Sequence, residues 1–477
     1  MADYEAIIGL EVHAQLKTKS KLFCSCPASF GDDPNKNTCP VCAGMPGALP
    51  VVIKKAVEYA TKMALALSCE INLRSVFARK NYFYPDLPKG YQISQYEEPL
   101  AEHGKVKFFL NGKVKEVGIK RLHMEDDAGK LIHVQEDNLT FVDLNRTGVP
   151  LIEIVSEPEI NSPDEAVAFL KMLRNILLYL GICDANMEEG NFRCDANVSI
   201  RPKGEKGFGT RTELKNMNSF RHIHKALTYE IERQKELLEA GKEVIQETRL
   251  YDESKGITRP MRGKEEAHDY RYFPDPDLVP VIIDQKDVEK WKKELPELPF
   301  EKQQRFLEEY GLSFEDVDIL TSDRDFADYF EEVVKGYKDP KTVANWMKTE
   351  VLRELHNKNI TIKDVNFSPA HFVSLLNLIK NNKISLTVGK QIFPELFHKG
   401  LDPVKYINEK GLVQISDEDE LRKVVLEVIK GHPEEVESYK KGKKKLLSFF
   451  MGQVMKKTKG KANPKLANQM LREELEK

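Results

Sequence analysis

Residues 1 to about 290 alternate apolar and polar side chains over short runs: Ile7 to Leu16, Lys105 to Phe109, Lys113 to Ile119, Leu139 to Leu144, Asn191 to Ile200 and Thr210 to Lys215. A period of two marks strands with one buried face. Three stretches break that rhythm with apolar residues at helical spacing. Val52 to Leu67 is the first. The second, Ser162 to Gly181, opens on Ser162-Pro163-Asp164-Glu165, a capping hydroxyl followed by proline at the first helical position, and closes on a glycine. The third, Ser219 to Ala240, stops at Gly241. Two proline-rich segments follow, Tyr272-Phe273-Pro274-Asp275-Pro276-Asp277 and Leu295-Pro296-Glu297-Leu298-Pro299-Phe300. Beyond them the pattern is helical almost throughout, as in Phe300 to Gly311, Ser322 to Tyr337 and Ser368 to Asn381. The chain therefore reads as α+β: a mixed α/β domain over 1–292, an all-α domain over 293–405 and a small all-α tail over 406–477. No solenoid repeat or long low-complexity tract interrupts this.

The 477 residues are 41% hydrophobic and 31% charged, with a net charge of −3. That is the composition of a solvated protein with real cores. No uncharged apolar stretch approaches the roughly 18 residues a membrane helix needs. The segment Met1 to Glu5 runs directly into Ala6-Ile7-Ile8, without a basic region or cleavage site. The cytoplasm is the expected location.

Of seven cysteines, four fall within nineteen residues: Cys24, Cys26, Cys39 and Cys42. They form a C-x-C and a C-x2-C pair separated by twelve residues. In a cytosolic chain, clustered thiols read as metal ligands before disulfides. Zn2+ takes four thiolates in closed structural sites, and an iron–sulfur cluster is the alternative. A full thiolate set leaves no open position, so the metal is expected to be structural.

A harder cation is suggested elsewhere. Glu11 and His13 share one face of the first strand, opposite Leu10 and Val12. Taken singly, that pair could be surface decoration. Arg121-Leu122-His123-Met124-Glu125-Asp126-Asp127 packs three adjacent acids, which repel unless solvated or holding a cation. A third strand carries Asp195 on its polar face, and a fourth carries Arg211, Glu213 and Lys215, where a cross-strand salt-bridge ladder is the plainer reading. Together such strands can supply the few carboxylates that Mg2+ uses alongside phosphate oxygens.

Arg79-Lys80-Asn81-Tyr82-Phe83-Tyr84-Pro85-Asp86 and the following Lys89-Gly90-Tyr91 mix cations, aromatics and turn residues. Such a mixture suits phosphates, bases or an RNA 3′ end, or else a loop pinned by buried tyrosines. No phosphate-binding G-x-x-x-x-G-K-[ST] loop is present, and Gly207-Phe208-Gly209 lacks the rest of a dinucleotide fingerprint. From Lys440 to Lys465 there are ten lysines and no acid, interleaved with Leu446, Leu447, Phe449, Phe450, Val454 and Met455. This predicts an amphipathic basic helix, with nucleic acid as the first-ranked partner ahead of a plain solvated face or a membrane surface.

Several motifs together resemble the B subunits of tRNA-dependent amidotransferases, the GatB/GatE family. They are Gly9-Leu10-Glu11-Val12-His13, Arg79 to Asp86, Gln92-Ile93-Ser94-Gln95, Asp143-Leu144-Asn145-Arg146, Ile152-Glu153-Ile154-Val155-Ser156, Arg193-Cys194-Asp195-Ala196-Asn197, Glu213-Leu214-Lys215-Asn216 and Asp269-Tyr270-Arg271-Tyr272-Phe273-Pro274. The resemblance spans essentially the whole chain. It implies a cradle domain holding the active site and a zinc knuckle, a helical domain and a YqeY-like tail that binds tRNA. The implied activity is ATP-dependent amidation of Glu-tRNA(Gln), of Asp-tRNA(Asn), or of both, through phosphorylation of the misacylated side-chain carboxylate.

By the same resemblance, Glu11, His13, Glu125 or Asp126, Asp195 and Glu213 match the catalytic site, and all but Glu11 its Mg2+ ligands. The family pattern Glu-Glu-Asp stands here as Glu125-Asp126-Asp127, which leaves the choice between Glu125 and Asp126 open. Arg79, Lys80, Tyr82, Tyr84 and Lys89 fit the ATP and substrate pocket and the wall of an ammonia channel. Lys440, Lys441, Lys443, Lys444, Lys445, Lys456, Lys457 and Lys459 are the matching tRNA-binding candidates. ATP, Mg2+ and a structural Zn2+ are the implied cofactors. The chain has no amidase signature of its own, so ammonia must come from a partner. The resemblance names that partner as the amidase GatA, with the small protein GatC completing a heterotrimer. Two rivals share the tail and knuckle: a non-catalytic tRNA-binding scaffold, and a standalone zinc-dependent nucleic-acid enzyme.

Overall fold

A computed structural model describes residues 3–134, 139–261, 270–412, 418–458 and 462–476. The chain divides into two units, Met1–Lys302 and Gln303–Lys477.

The first unit is built on a sheet with nine strands among the described residues. In chain order its main strands and those of its covering sheet are β1 (Tyr4–Gln15), β2 (Ala78–Asn81), β3 (Tyr91–Ser94), β4 (Ala101–Leu110), β5 (Lys113–Asp126), β6 (Pro150–Ser156), β7 (Phe192–Pro202), β8 (Thr212–Lys215), β9 (Glu247–Asp252) and β10 (Ile257–Pro260). The large sheet runs β10-β9-β8-β7-β1-β6-β5-β4 and ends on the short strand Glu70–Ile71. Among the described residues only β8 and β9 pair in parallel; the other ladders of this sheet are antiparallel. β1 sits near the centre, hydrogen-bonded to β6 on one side and β7 on the other.

Three helices, α1 (Lys54–Ala66), α2 (Pro163–Leu180) and α3 (Phe220–Glu239), pack against one face. Ser162 caps α2 by accepting from Glu165 N, and Gly181 ends it in the left-handed conformation, as the sequence predicts. Leu10, Val12, Ile152, Ile154, Leu122, Met124, Ala196 and Leu214 are buried in the core these helices cover. A single methylene removed from such a core costs about 1 kcal/mol.

The alternation in β5 changes phase part-way. Val117 and Ile119 are buried in this core, and so are Leu122 and Met124. Between them the register against β6 slips, with Arg121 opposite Val155 but Ile119 opposite Ser156. Lys120 is the extra residue of this bulge, and His103 on β4 takes a φ of 54° beside it. The slip re-aims Arg121, His123 and Glu125 to the face away from the helices. It also explains why the alternating pattern predicted a strand that stops at Ile119.

That second face is covered by a three-stranded sheet of β2, β3 and the short strand Phe273–Pro274. Hydrogen bonds fasten the cover to β5: Ile93 N donates to Asp126 Oδ1 at 2.8 Å, Gln92 Nε2 to Asp126 O at 2.8 Å, and Met124 N to Gln95 Oε1 at 3.0 Å.

The second unit is helical and holds two apolar clusters. Phe306 to Ile407 build one, around Phe330, Trp346, Phe372 and Phe393. Leu421 to Leu475 build the other, around Tyr439, Phe450 and Leu471. The basic tail is not one helix. Pro433–Lys440 ends before Gly442, whose φ is 105°, a single turn Lys444–Leu446 follows, and Leu447–Lys457 starts anew. Lysines gather at these helix C-termini, where the dipole favours cations. Among the described residues no helix is long and apolar enough to cross a membrane.

Candidate active site

The polar face of the large sheet gathers side chains from five adjacent strands. On β1, Glu11 and His13 point to it, as their spacing predicts. Register places Glu153 of β6 opposite His13, and His123 of β5 opposite Glu153. His13 Nε2 lies 3.4 Å from Glu125 Oε1 and 3.3 Å from Glu153 Oε2, and His123 Nε2 lies 3.3 Å from the same Glu153 oxygen. One ligand atom each from His13, Glu125 and Glu153 falls within 4.8 Å of the others.

Burial opposes the His13 imidazolium, but the Glu153 hydrogen bond and the charges of Glu153 and Glu125 outweigh it and raise its pKa to about 9. Burial likewise disfavours the Glu153 carboxylate, yet His123 and His13 hold it well below the usual range. Glu125 Oε2 is buried and has no hydrogen-bond partner among the described residues. A buried carboxylate oxygen without a donor costs free energy unless a cation or ligand meets it.

Alongside lies a second acidic group. Glu11 stands opposite Asp195 of β7, and Asn197 stands opposite Glu213 of β8. Asn197 Nδ2 donates to Glu11 Oε1 at 2.9 Å, and Thr248 Oγ1 donates to Glu213 Oε2 at 2.8 Å. Lys215 lies 3.3 Å from Glu213 on its own strand and 3.8 Å from Asp195 across the ladder, the second being the cross-strand pairing its sequence position suggests. Burial, then the charges of Glu153 and Glu213, push the Glu11 carboxyl up. Burial also pushes Asp195 up, with Lys215 opposing. Burial thus makes these two carboxylates costly to charge without a counterion.

The covering sheet adds a cation. β2 alternates, so Arg79 and Lys80 part company. Burial disfavours the Lys80 ammonium, but the Glu125 charge leads in raising its pKa above the ordinary lysine value. The ammonium also sits 4.9 Å from the Tyr270 ring centre. Tyr82 and Tyr272 are raised mainly by burial, Tyr272 to about 12. Tyr82 packs edge-on against Tyr270, and Tyr272 stacks on Tyr96 at 4.2 Å. Arg79 instead pairs with Asp275 at 2.9 Å and Asp277 at 2.8 Å and lies over Tyr91. Tyr84 is exposed.

Glu125 and Asp126 separate in the same way. Glu125 faces His13, whereas Asp126 pairs with Lys89 and accepts from Ile93 N. Asp127 is held by Arg193 at 2.9 Å and Gln15 at 2.6 Å. Reading the sequence misses Glu153, His123 and Arg193. Glu153 sits between two isoleucines in an apolar run, and a lone carboxylate there must find a partner once buried. That signal was available.

The cysteine cluster lies between β1 and α1. One Sγ from each of Cys24, Cys26, Cys39 and Cys42 falls within 4.8 Å of the others. Cys39 and Cys42 sulfurs are 3.8 Å apart, and a tetrahedron with Zn–S bonds of about 2.3 Å has edges of about 3.8 Å. Hydrogen bonding from Cys24 draws the Cys42 thiol down to about 4. The residues fit a zinc knuckle. The described tail lysines, Lys440, Lys441, Lys443, Lys444, Lys445, Lys456 and Lys457, are all exposed, and Lys441, Lys444 and Lys457 pair with Glu437, Glu476 and Glu427. Lys459 lies outside the described residues, as does Asp269.

The sequence profile of the GatB/GatE catalytic domain matches residues 6–289, more than half of the chain. The chain belongs to the GatB/GatE family. A second profile, the GatB domain, matches residues 328–475. Curated relatives agree along the full length. The B subunit of the aspartyl/glutamyl-tRNA(Asn/Gln) amidotransferase of Solidesulfovibrio magneticus is 59% identical over 475 residues, covering 100% of both chains. Proteins of the same name from Carboxydothermus hydrogenoformans and Persephonella marina are each 54% identical, over 482 and 472 residues, and cover 100% and 99% of both chains. GatB/GatE membership thus extends over both units, and the polar face falls within the catalytic domain.

Proposed function

We propose that this chain is the B subunit of a tRNA-dependent amidotransferase that converts Glu-tRNA(Gln), Asp-tRNA(Asn) or both to the amide. The observation that carries this reading is the polar face itself, where His13, Glu125 and Glu153 converge with one carboxylate oxygen left without a partner among the described residues. A carboxylate is a poor acyl donor because its leaving group would be oxide. ATP removes that obstacle. The side-chain carboxylate attacks the γ-phosphorus, the bond to ADP breaks, and an acyl phosphate forms. Ammonia then attacks the acyl carbon, phosphate leaves, and a proton is lost to give the amide.

Glu125 and Glu153, with His13 once a cation displaces its proton, would hold Mg2+, and Glu11, Asp195 and Glu213 would hold or orient a second cation or its water shell. Bound there, Mg2+ would neutralise phosphate charge. Lys80 supplies a fixed positive charge beside the same carboxylates, suited to the charge that gathers on transferring phosphoryl oxygens. The aromatic cover of Tyr82, Tyr270 and Tyr272 keeps water from the acyl phosphate. His123 holds Glu153 in place. Ammonia would come from a partner glutaminase, since ammonium is not nucleophilic and the chain has no amidase motif. Exposed tail lysines would bind the tRNA backbone by charge.

The test is ammonium-supported amidation by the assembled complex, with wild-type chain or His13→Ala. We expect amidation to be lost in the variant while the partner's glutaminase activity persists. Equal amidation by both would favour the scaffold reading.

A further inference from the structure

The cysteine knuckle and the carboxylate face are not separate parts of the first unit. Three backbone hydrogen bonds close the knuckle's second half, Ala43 N to Cys39 O at 2.9 Å, Gly44 N to Val41 O at 3.1 Å and Met45 N to Pro40 O at 2.9 Å. They carry Gly44 into the left-handed region, at a φ of 64°, and press it on Lys89. A Cβ at Gly44 would lie 2.6 Å from Lys89 Cγ and 3.0 Å from Lys89 Cα. Lys89 in turn is mostly buried and pairs with the buried Asp126, the residue after Glu125. A second tie reaches the same strand end. Leu22 N donates to Gly148 O at 2.7 Å, and Gly148 N donates to Asp127 O at 2.8 Å. A cleft of about 210 Å³ lies at this junction, lined by Lys21, Cys42, Gly44, Lys89 and Asp126 among others.

We propose that the knuckle is a positioning element for the carboxylate face, with Gly44 the contact that seats Lys89 against Asp126 and so fixes the end of β5 that carries Glu125. The two ties grip Asp126 and Asp127 from the knuckle side, and β5 transmits their position one residue back. Closing the knuckle on a metal would hold the Gly44 turn in the shape that reaches Lys89. The role in turnover rests on the function proposed above; the contact itself does not.

The test uses the assembled complex with wild-type chain, Gly44→Ala and Gly47→Ala. Gly47 also has a positive φ, 83°, but a Cβ there meets nothing within 4 Å. It therefore carries the backbone strain without the collision. Zinc content is measured first, then acetylation of Lys89 by a water-soluble amine reagent, followed by peptide mass spectrometry. In Gly44→Ala we expect wild-type zinc content, Lys89 labelled about tenfold faster through local opening, and a kcat for ammonium-supported amidation about tenfold to a hundredfold lower with little change in KM for tRNA. Gly47→Ala should match wild type in labelling and kcat. Stripping the metal from the wild-type complex should speed Lys89 labelling as Gly44→Ala does.

Lys89 protection unchanged in Gly44→Ala or in the stripped complex would overturn the inference, as would equal effects at Gly47. Faster labelling with unchanged kcat would also overturn it while leaving the reading of the carboxylate face intact. Absence of amidation by wild type would instead sink that reading. If Gly44→Ala fails to assemble, the stripped wild-type complex carries the test: faster Lys89 labelling than in the zinc-loaded complex supports the proposal, and unchanged labelling overturns it.

Discussion

Glu230 and Glu125 are both buried against the same sheet, on opposite faces, and they are treated differently. Glu230, on α3, accepts from Thr212 at 2.9 Å, Thr258 at 2.8 Å, Gln234 at 3.1 Å and Arg233 at 2.5 Å, and Arg249 lies 3.2 Å away. Burial disfavours its charge, but Arg233 leads the groups that hold its pKa low. Glu125 touches the shared imidazole of His13 and keeps one oxygen unmet. A saturated carboxylate fixes structure. A carboxylate left short of donors, beside others pushed up by burial and mutual repulsion, is a place where charge is expected to arrive. On the helix face the carboxylate itself is saturated; on the cover face it is not.

The sharpest way to break this contrast is to neutralise one member of each face. Glu125→Gln should lower ammonium-supported amidation by about a hundredfold to a thousandfold, on the scale of losing a preorganised charge contact. Its unfolding temperature should change little, because the isosteric amide keeps the packing and removes only one of the charges around His13 and Lys80. Glu230→Gln should do the reverse, losing about 3 kcal/mol of stability because the half-buried Arg233 and the buried Arg249 lose the carboxylate they share. Chemical denaturation of each complex separates the two outcomes. Equal stability loss in both variants would erase the distinction between the faces.

Acid sharpens it further. Glu230 has a depressed pKa in the folded state. Its stabilisation is therefore present above the unfolded-state value, near 4.5, and is lost as pH falls through the lower folded value. The stability gap between wild type and Glu230→Gln should be largest near neutral pH and shrink below about pH 4. A gap independent of pH would mean that the cost lies in packing, not charge.

Cation binding gives a smaller effect. Mg2+ at a hundred times its dissociation constant adds about 2.7 kcal/mol to a folded state that alone binds it. Thermal unfolding of the wild-type complex should shift upward with Mg2+, and Glu153→Gln should flatten that response. The smallest change is expected far from the sheet. Replacing Lys443, Lys444 and Lys445 with alanine should weaken tRNA binding and lower the salt slope by about one for each phosphate no longer neutralised. Turnover at saturating tRNA should hold.

Much of this contrast could be read from sequence, and the rest could not for definite reasons. Glu11 and His13 on one face follow from period two, and the caps of α2 from Ser162 and Gly181. The four-cysteine spacing suffices for the knuckle. Glu153 is passed over because a lone carboxylate among apolar neighbours names no partner until strand order sets it between His13 and His123. The bulge at Lys120 shifted the phase of β5, so alternation stopped at Ile119 and His123 lost its place beside Glu125. The meeting of Asp195, Glu213 and Lys215 with Glu11 depends on strand order, which no local pattern encodes. Gly44 against Lys89 is likewise a contact between segments remote in sequence.

One measurement bears most directly on the cover face as a site of phosphoryl transfer. The assembled complex is given γ-labelled ATP and Glu-tRNA(Gln), with neither glutamine nor ammonium, and labelled acyl phosphate is followed. Labelled phosphate on the tRNA-bound glutamate with wild-type chain, and none with His13→Ala, is the predicted result. Equal labelling with both chains would contradict the account and leave His13 as a structural residue.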